Sequence, residues 1–396
     1  MTRPPFEVAD IVRQHGDRFL ETHRAWITGL HRRVLRALVQ CRTAALGGHR
    51  DRCEGCAHQA LSYNSCRDRH CPKCLTAARD QWVAARQREL LPVGYVHVVF
   101  TIPEPLTRLA LANKRVVYGL LFRAAAATLL QVAANPKRLG AAIGGLMVLH
   151  TWGQRLQHHP HIHCVVPAGG LSLEGTRWVH ARPTFFLPIK VLRQVFRRKL
   201  VAGLRTAFHQ RRLSFPGTLE PLAIESTFGA WLRSLYRQPW IVYAKPPFGS
   251  PAHVLHYLAR YTHRVAISNH RLVAVTDDTV SFRWKDYRHG SQMRTLTLDV
   301  DEFLRRFLLH VLPKHFVRIR YFGLLAPRCR THDLATCRTV LAVASPPPVT
   351  APSVNSTLTR SWPCPRCGAP MRIVERLSAR QLFLEALLAD IIYDSS

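Results

Sequence analysis

The sequence has few acidic residues and no long apolar run. It contains 24 Asp and Glu against 56 Lys and Arg, which gives a formal charge of +32 at pH 7. The longest apolar stretches, Ala124 to Ala134 and Leu139 to Leu149, fall short of the ~18–20 residues that span a bilayer. The first residues also lack the apolar segment and cleavage site of a secretory signal. These absences predict a cytoplasmic protein without a membrane partner.

The excess of positive charge indicates a polyanionic partner, either nucleic acid or an anionic membrane. Only eight of the 56 basic residues are lysine, and the planar guanidinium of arginine suits phosphates and base edges. A GC-rich genome would also enrich arginine, but it accounts less easily for the small acidic count. Hydrophobic residues make up 47% of the chain and charged residues 20%, which excludes a disordered polybasic tail.

The chain has 396 residues, a length that indicates two or three domains. Hydrophobic periodicity predicts that it contains both helices and strands, in the α+β class. Helices are expected over residues 7–45, 75–90, 106–134, 188–213, 251–263 and 299–312 and at the C-terminus. Strands are expected over residues 95–102, 145–154, 162–167, 241–244, 271–275 and 280–284. The predicted parts are 1–90, N-terminal helices and a zinc-binding domain; 91–325, a catalytic domain; and 326–396, a linker and a tail with one cysteine pair.

Two cysteine pairs near the N-terminus predict a structural zinc site. A reducing cytosol disfavours disulfides, and two C-x-x-C pairs complete a closed tetrahedral shell of four thiolates. The pairs are Cys53 with Cys56 and, after fourteen residues, Cys71 with Cys74. The neighbouring Cys66, His58 and His70 are alternative ligands.

A further pair, Cys364 and Cys367, has the same spacing but lacks an evident second pair. Cys329 and Cys337 are candidates, although their spacing is irregular. A second zinc at this pair, a site completed by another region, and free thiols remain open.

A histidine pair predicts a catalytic metal site. His161 and His163 lie at the start of a predicted strand, where residues two apart point to the same face, while Ile162 and Cys164 point to the other. Two imidazoles so placed can share a transition metal or another divalent ion. Gln154, on the preceding strand, is the candidate third ligand. The alternative is ordinary packed or solvated histidine.

Two tyrosines supply a candidate nucleophile. Tyr257 and Tyr261 are four residues apart on a predicted helix and therefore share one face, beside the cationic Arg260 and Arg264. A tyrosine hydroxyl can attack a DNA phosphodiester and conserve the bond energy in a phosphotyrosine. The alternative is a pair of half-buried tyrosines with structural roles.

In combination these motifs resemble rolling-circle insertion-sequence transposases of the HUH, two-tyrosine type, the insertion sequence ninety-one family. The resemblance extends over about residues 7 to 330. It is carried by His49 to Cys74, Glu89 to Pro103, His159 to Gly170 with its His-Ile-His, Tyr257 to Asn269 with its Tyr-x-x-x-Tyr, and Phe282 to Tyr287.

The resemblance implies an HUH endonuclease domain, an antiparallel sheet flanked by helices, acting on single-stranded DNA in a bacterial cell. It implies that His161 and His163 hold Mg²⁺ or Mn²⁺, with Gln154 by analogous position. Tyr257 and Tyr261 would each form a 5′-phosphotyrosine. No G-x-x-x-x-G-K-[ST] motif is present, so host helicase and replication proteins are the expected partners, and no small-molecule substrate is expected.

Two other functions stay open at this stage. A plasmid replication initiator or a conjugative relaxase would use the same chemistry. A non-enzymatic zinc-dependent DNA-binding protein would use the histidines and tyrosines only as structure.

Overall fold

The computed structural model describes residues 4–74, 82–83, 86, 89–245, 266–287, 289–342 and 362–393. The predicted helix over 251–263 lies outside the described residues, and the predicted helix over 75–90 lies mostly outside them. Within the described parts, helices and antiparallel sheets combine in the α+β class that the sequence predicts.

The elements are labelled in chain order. The α-helices are α1 Val8–Thr22, α2 Gly29–Gln40, α3 Leu106–Ala112, α4 Lys114–Ala134, α5 Ile189–His209, α6 Glu225–Ser234, α7 Val300–Leu309, α8 Arg330–Val340 and α9 Ala379–Tyr393. Short 3₁₀ helices span Ala44–Leu46, Gly217–Ala223, Leu235–Arg237 and Asn269–Arg271. The strands are β1 Gly48–Cys53, β2 Gln59–Tyr63, β3 Tyr95–Thr101, β4 Ala141–Ala142, β5 Gly144–Trp152, β6 His158–Pro167, β7 Gly169–Ser172, β8 Trp178–His180, β9 Ile241–Ala244, β10 Leu272–Val275, β11 Thr279–Asp286, β12 Gln292–Asp299, β13 Ile319–Gly323, β14 Trp362–Pro363 and β15 Pro370–Leu377.

A five-stranded antiparallel sheet in the order β13-β5-β6-β3-β9 forms the centre of the protein. Its two faces differ because side chains alternate along each strand. Phe100, Ile162 and Cys164 are fully buried on one face, in a core shared with α3, α4 and α5. Phe100, for example, packs on Phe196 of α5 with 4.9 Å between ring centroids. The other face carries the histidines.

The single helix predicted over residues 106–134 is divided into α3 and α4 at Asn113. The buried Asn113 amide donates to the carbonyls of Leu109 and Ser214 and accepts from the Ser214 amide, which fixes the break. By length and composition α4 is apolar enough to cross a membrane, and 67% of its most apolar stretch is buried inside the protein. Its apolar character therefore fits its place in the core.

A second layer joins the later part of the catalytic region to the N-terminal helices. The three-stranded sheet β10-β11-β12 packs with α7, α1 and α2 around one apolar cluster that includes Phe19, Phe282 and Phe303. The rings of Phe282 and Phe303 lie 6.0 Å apart. The first helices thus pack against residues 266–311, across the boundary predicted at residue 90.

The C-terminal segment forms a sheet with the N-terminal module, in the order β14-β15-β1-β2. β15 pairs with β1 from Gly48 opposite Leu377 to Cys53 opposite Met371. The sequence predicts a separate tail over residues 326–396 and no strand within 49–74, because β1 and β2 are short and mostly polar. Alternation of large apolar residues, which reveals a strand, is missing there.

A buried histidine beside the central sheet predicts that stability falls in acid. His310 donates from Nε2 to the Leu156 carbonyl and accepts at Nδ1 from the Thr151 hydroxyl, at 3.0 and 3.2 Å. Burial lowers the pKa of His310 to about 3. The unfolded chain therefore binds a proton below about pH 6.5 that the folded chain does not, and stability decreases as the pH falls through that range.

We expect His310 alone to reduce the free energy of unfolding by ~2 kcal/mol between pH 6.5 and pH 5. Denaturant unfolding at a series of pH values measures this. Glutamine does not titrate, so in His310→Gln the free energy of unfolding should decrease less between pH 6.5 and pH 5. An unchanged decrease would show that His310 is not its cause.

Candidate metal centres and nucleic-acid cleft

Three histidines meet on the open face of the central sheet. β5 and β6 are paired so that His150 lies opposite His161 and Val148 lies opposite His163. Since cross-strand neighbours share a face, the three imidazoles converge, and their ligand nitrogens all lie within 4.8 Å of one another. His150 and His163 are buried, and His161 is half-buried.

Neighbouring groups orient two of these rings. His161 donates from Nδ1 to the His159 carbonyl at 2.7 Å, so its Nε2 carries the lone pair that a metal would need. The stacked His97 ring lies parallel to His163 and shares a 2.8 Å hydrogen bond between His97 Nε2 and His163 Nδ1. Burial lowers the pKa of His161 to about 4, and burial together with Lys245 lowers that of His97 to about 3. At neutral pH both rings are therefore uncharged, the form that binds cations.

His150 joins the predicted histidine pair, for which Gln154 was the candidate third ligand. β5 ends at Trp152, and Gln154 lies in the following turn, where its Oε1 accepts a 3.4 Å hydrogen bond from the Lys285 amide. Gln154 lines the same cleft as the three histidines. The missed signal was strand pairing: a hairpin that closes at residues 153–157 brings His150 beside His161.

The histidines form part of a cleft of about 1,070 Å³ between the central sheet and the β11–β12 hairpin. Its wall combines cationic and aromatic side chains: Arg155, Lys245, Lys285, Arg294, Trp152, Tyr243, Trp284 and Tyr287. The Arg155 guanidinium lies 5.4 Å from the centre of the Trp284 ring. Asp286 on the wall is buried, hydrogen-bonded to His289 and ion-paired with Arg294. Such a surface suits phosphates and stacked bases.

The predicted nucleophiles Tyr257 and Tyr261, and the neighbouring Arg260 and Arg264, lie outside the described residues. The described chain ends on one side at Lys245, on the wall of the cleft, and resumes at Ala266, in the second apolar cluster.

The cysteines form two clusters, and the predicted set of four is divided between them. In each cluster the four sulfurs lie within 4.8 Å of one another. The first cluster is Cys41, Cys66, Cys71 and Cys74; the second is Cys53, Cys56, Cys364 and Cys367. The division arises because Cys53 and Cys56 close the β1–β2 hairpin at the end where β15 arrives, whereas Cys71 and Cys74 lie near Cys41, the residue that ends α2.

The other predicted zinc ligands have different surroundings. Cys66, named as an alternative, lies in the first cluster, 3.5 Å from Cys74 between sulfurs. His70 instead bridges Asp68 and the Leu312 amide through its two ring nitrogens. Cys329 donates to the Gly323 carbonyl near α8, and neither Cys329 nor Cys337 lies in the cluster of Cys364.

Two family models match the regions just described. Residues 11–102 match the model described as "Transposase zinc-binding domain", and residues 144–333 match the one described as "Putative transposase". The first range contains all of the first cysteine cluster, and the second contains the three histidines. Together, the fold and these matches define a transposase that carries a zinc-binding domain.

The chain belongs to the IS91 family of insertion-sequence transposases, as the sequence resemblance predicts. It is 52% identical over 348 residues to "Putative transposase y4qJ" of Sinorhizobium fredii, covering 88% of this chain and 87% of the relative. It is 31% identical over 345 residues to the transposase for insertion sequence element IS801 of Pseudomonas savastanoi pv. phaseolicola, covering 84% and 81%.

A solved structure of the conjugative relaxase TrwC in complex with oriT DNA covers 63% of this chain and 73% of its own, at 13% identity and a TM-score of 0.22. A TM-score of that size does not relate the two folds.

Proposed function

We propose that this transposase nicks and rejoins single-stranded DNA at the ends of its element through 5′-phosphotyrosine intermediates, driving rolling-circle transposition. The observation that supports this most directly is the group of His150, His161 and His163 within a cationic, aromatic cleft. A non-enzymatic DNA-binding protein would have no need for three converging imidazoles. Their placement in the range of the transposase model favours transposition over plasmid replication.

The three histidines fit a divalent cation, for which we propose Mg²⁺ or Mn²⁺. Each offers one nitrogen, the nitrogens converge, and the adjoining space is open to a ligand from the substrate. When bound, such a cation polarises the scissile phosphate as a Lewis acid. His97 and the His159 carbonyl hold the rings in place, so that little reorganisation is needed during the reaction.

The cutting step exchanges one phosphate ester for another. The phenol of Tyr257 or Tyr261 loses its proton to solvent as its oxygen attacks the phosphorus, and the bond from phosphorus to the 3′ oxygen breaks. The 3′ oxygen takes up a proton from solvent and leaves as a hydroxyl. The number of phosphodiester bonds is unchanged, so attack by a 3′-hydroxyl reverses the step and rejoins DNA. Arg260 and Arg264 are proposed to stabilise the charge that develops on the phosphate.

The cleft wall is proposed to hold the single strand. Lys245, Lys285 and Arg155 contribute positive charge, and Trp284 and Tyr287 offer faces on which bases can stack. Binding that depends on phosphate contacts weakens steeply as salt increases. Strand displacement is assigned to a host helicase, and synthesis from the freed 3′-hydroxyl to host replication proteins.

We predict that Tyr287→Ala weakens binding of a single-stranded oligonucleotide by about tenfold, because loss of one base-stacking partner costs ~1–3 kcal/mol. Tyr287 is 65% exposed, so its removal should leave the fold intact. Tyr236→Ala is the matched control: this tyrosine is also exposed, but it packs on Arg197 away from the cleft. Fluorescence anisotropy measures the affinity of both variants. If Tyr287→Ala bound the oligonucleotide as tightly as the Tyr236→Ala control, Tyr287 would be excluded from the binding surface.

Incubation of the purified protein with an oligonucleotide from the element's end and Mg²⁺ or Mn²⁺ tests the function. We expect a shortened product with a free 3′-hydroxyl and a second product attached to protein. Binding without cleavage at every metal concentration would favour the non-enzymatic alternative. A two-plasmid assay, in which the element moves from donor to target, separates a transposase from a replication initiator with the same chemistry.

A further inference from the structure

We propose that Cys53, Cys56, Cys364 and Cys367 form a second zinc site that fastens the C-terminal segment, residues 362–393, to the N-terminal module. Cys364 and Cys367 lie outside the range of the zinc-binding family model, which ends at residue 102. The site is independent of the DNA chemistry proposed above. It lies apart from the first cluster, which shares none of its cysteines.

The two C-x-x-C loops have the same backbone hydrogen bonds. The amide of Cys53 donates to the carbonyl of His58, and the amide of Cys364 donates to that of Ala369, both at 2.8 Å and both across five residues. Amides within each loop also point at the first sulfur: Gly55 and Cys56 donate to Cys53 Sγ, and Arg366 donates to Cys364 Sγ. Donation from backbone amides stabilises thiolates, which are the form that binds metal.

The loops also share an unusual conformation and a close approach. The residue after each second cysteine has a left-handed backbone: Ala57 has φ of 56° and Gly368 has φ of 75°. Gly55 lies where the two loops touch, and a Cβ atom there would come within 2.9 Å of the Ala369 Cβ. The two loops therefore form a pair of matching halves with little space for a side chain between them.

The sulfur positions fit a tetrahedral ion. Cys53 and Cys367 lie 3.4 Å apart between sulfurs, and Cys56 and Cys364 lie 3.7 Å apart. Four ligands at about 2.3 Å from zinc would be about 3.8 Å from one another. A disulfide requires about 2.05 Å, and none of the eight cysteines of the two clusters is in a disulfide. Four thiolates without an open position are typical of structural zinc.

Apart from the ladder between β1 and β15, few apolar contacts hold the segment. Its local core has three buried members, Cys53, Cys364 and Met371, and two of these are ligands. Arg50 makes exposed ion pairs with Glu375 and Glu385. Pairs of this kind contribute ~0–1 kcal/mol each. Small sheets with such cores usually need a metal or a disulfide, and zinc supplies that role here.

Native mass spectrometry of the full chain, purified with zinc, counts the bound ions. We expect two zinc ions in the wild type, one in the Cys364→Ser, Cys367→Ser double variant, and two in Cys329→Ser. Cys329 is the matched control because it is a half-buried thiol outside both clusters. One zinc in the wild type, or two in the double variant, would overturn the proposal.

A second measurement needs no substitution, so it tests zinc binding by Cys364 and Cys367 even if the double variant does not fold. The wild type is alkylated with iodoacetamide with and without a zinc chelator, and each cysteine is followed by peptide mass spectrometry. We expect Cys364 and Cys367 to react at least tenfold faster after chelation, although Cys367 is exposed, while Cys329 reacts at the same rate in both. Equal rates at Cys364 and Cys367, or reaction only after a reductant, would show free thiols or a disulfide and exclude the zinc site.

Discussion

His161→Ala and His150→Ala should each reduce single-strand cleavage by about 10³-fold or more while changing oligonucleotide affinity by less than about threefold. Each substitution removes one of three converging nitrogens, and two imidazoles hold a divalent cation far more weakly than three. DNA affinity should survive because Lys245, Lys285 and the aromatic wall are untouched. Initial rates under excess enzyme, together with anisotropy titrations, measure the two quantities separately.

His159→Ala is the matched control for this pair. His159 is on the same strand and lines the same cleft, but it is not in the three-histidine group. Its substitution should leave cleavage within about tenfold of wild type, since its backbone carbonyl, which orients His161, is retained. If His161→Ala lost cleavage and binding equally, with a lowered unfolding temperature, the histidines would be structural.

Gln154→Ala compares the two candidates for the third ligand. With His150 in that position, Gln154→Ala should reduce cleavage much less than His150→Ala. If Gln154→Ala lost more cleavage than His150→Ala, the third ligand would be Gln154, the candidate predicted from the sequence.

The double substitution Tyr257→Phe, Tyr261→Phe should abolish covalent attachment of protein to DNA. Phenylalanine keeps the ring and removes only the hydroxyl that is proposed to attack phosphorus, so DNA binding should remain within about twofold of wild type. Each single variant should retain part of the activity if one hydroxyl acts on each DNA end. Denaturing gels with a labelled oligonucleotide detect the adduct directly.

Two other tyrosines serve as controls for this experiment. Tyr243 and Tyr287 also line the cleft near the histidines. Their substitution by phenylalanine should leave the adduct yield unchanged. If Tyr243→Phe or Tyr287→Phe lost the adduct while the double variant kept it, the nucleophile would be that tyrosine of the cleft wall.

The central strands and the histidine pair were predictable because they depend on local pattern. Alternation along β6 places His161 and His163 on one face and buries Ile162 and Cys164 on the other, as the structure shows. His150 could not be found in this way. Its place beside His161 depends on the register between β5 and β6, which a single strand does not reveal.

The cysteine grouping shows a second limit of the same kind. Two C-x-x-C pairs separated by fourteen residues suggest one site, and spacing alone favours that interpretation. In the structure the partner of Cys56 is Cys364, 308 residues later, and Cys41 joins the other pair from the end of α2. The pairing of β1 with β15 brings Cys56 and Cys364 together, and the short polar sequence of β1 gives no sign of that pairing.

Mass spectrometry of the protein–DNA adduct tests the central claim most directly. After cleavage with Mn²⁺, exhaustive nuclease and protease digestion leaves a peptide that carries one nucleotide. The account predicts a 5′-phosphate ester on Tyr257 or Tyr261, and no such peptide from His161→Ala. A nucleotide attached to any other residue, attachment through a 3′-phosphate, or cleavage without any adduct would contradict it.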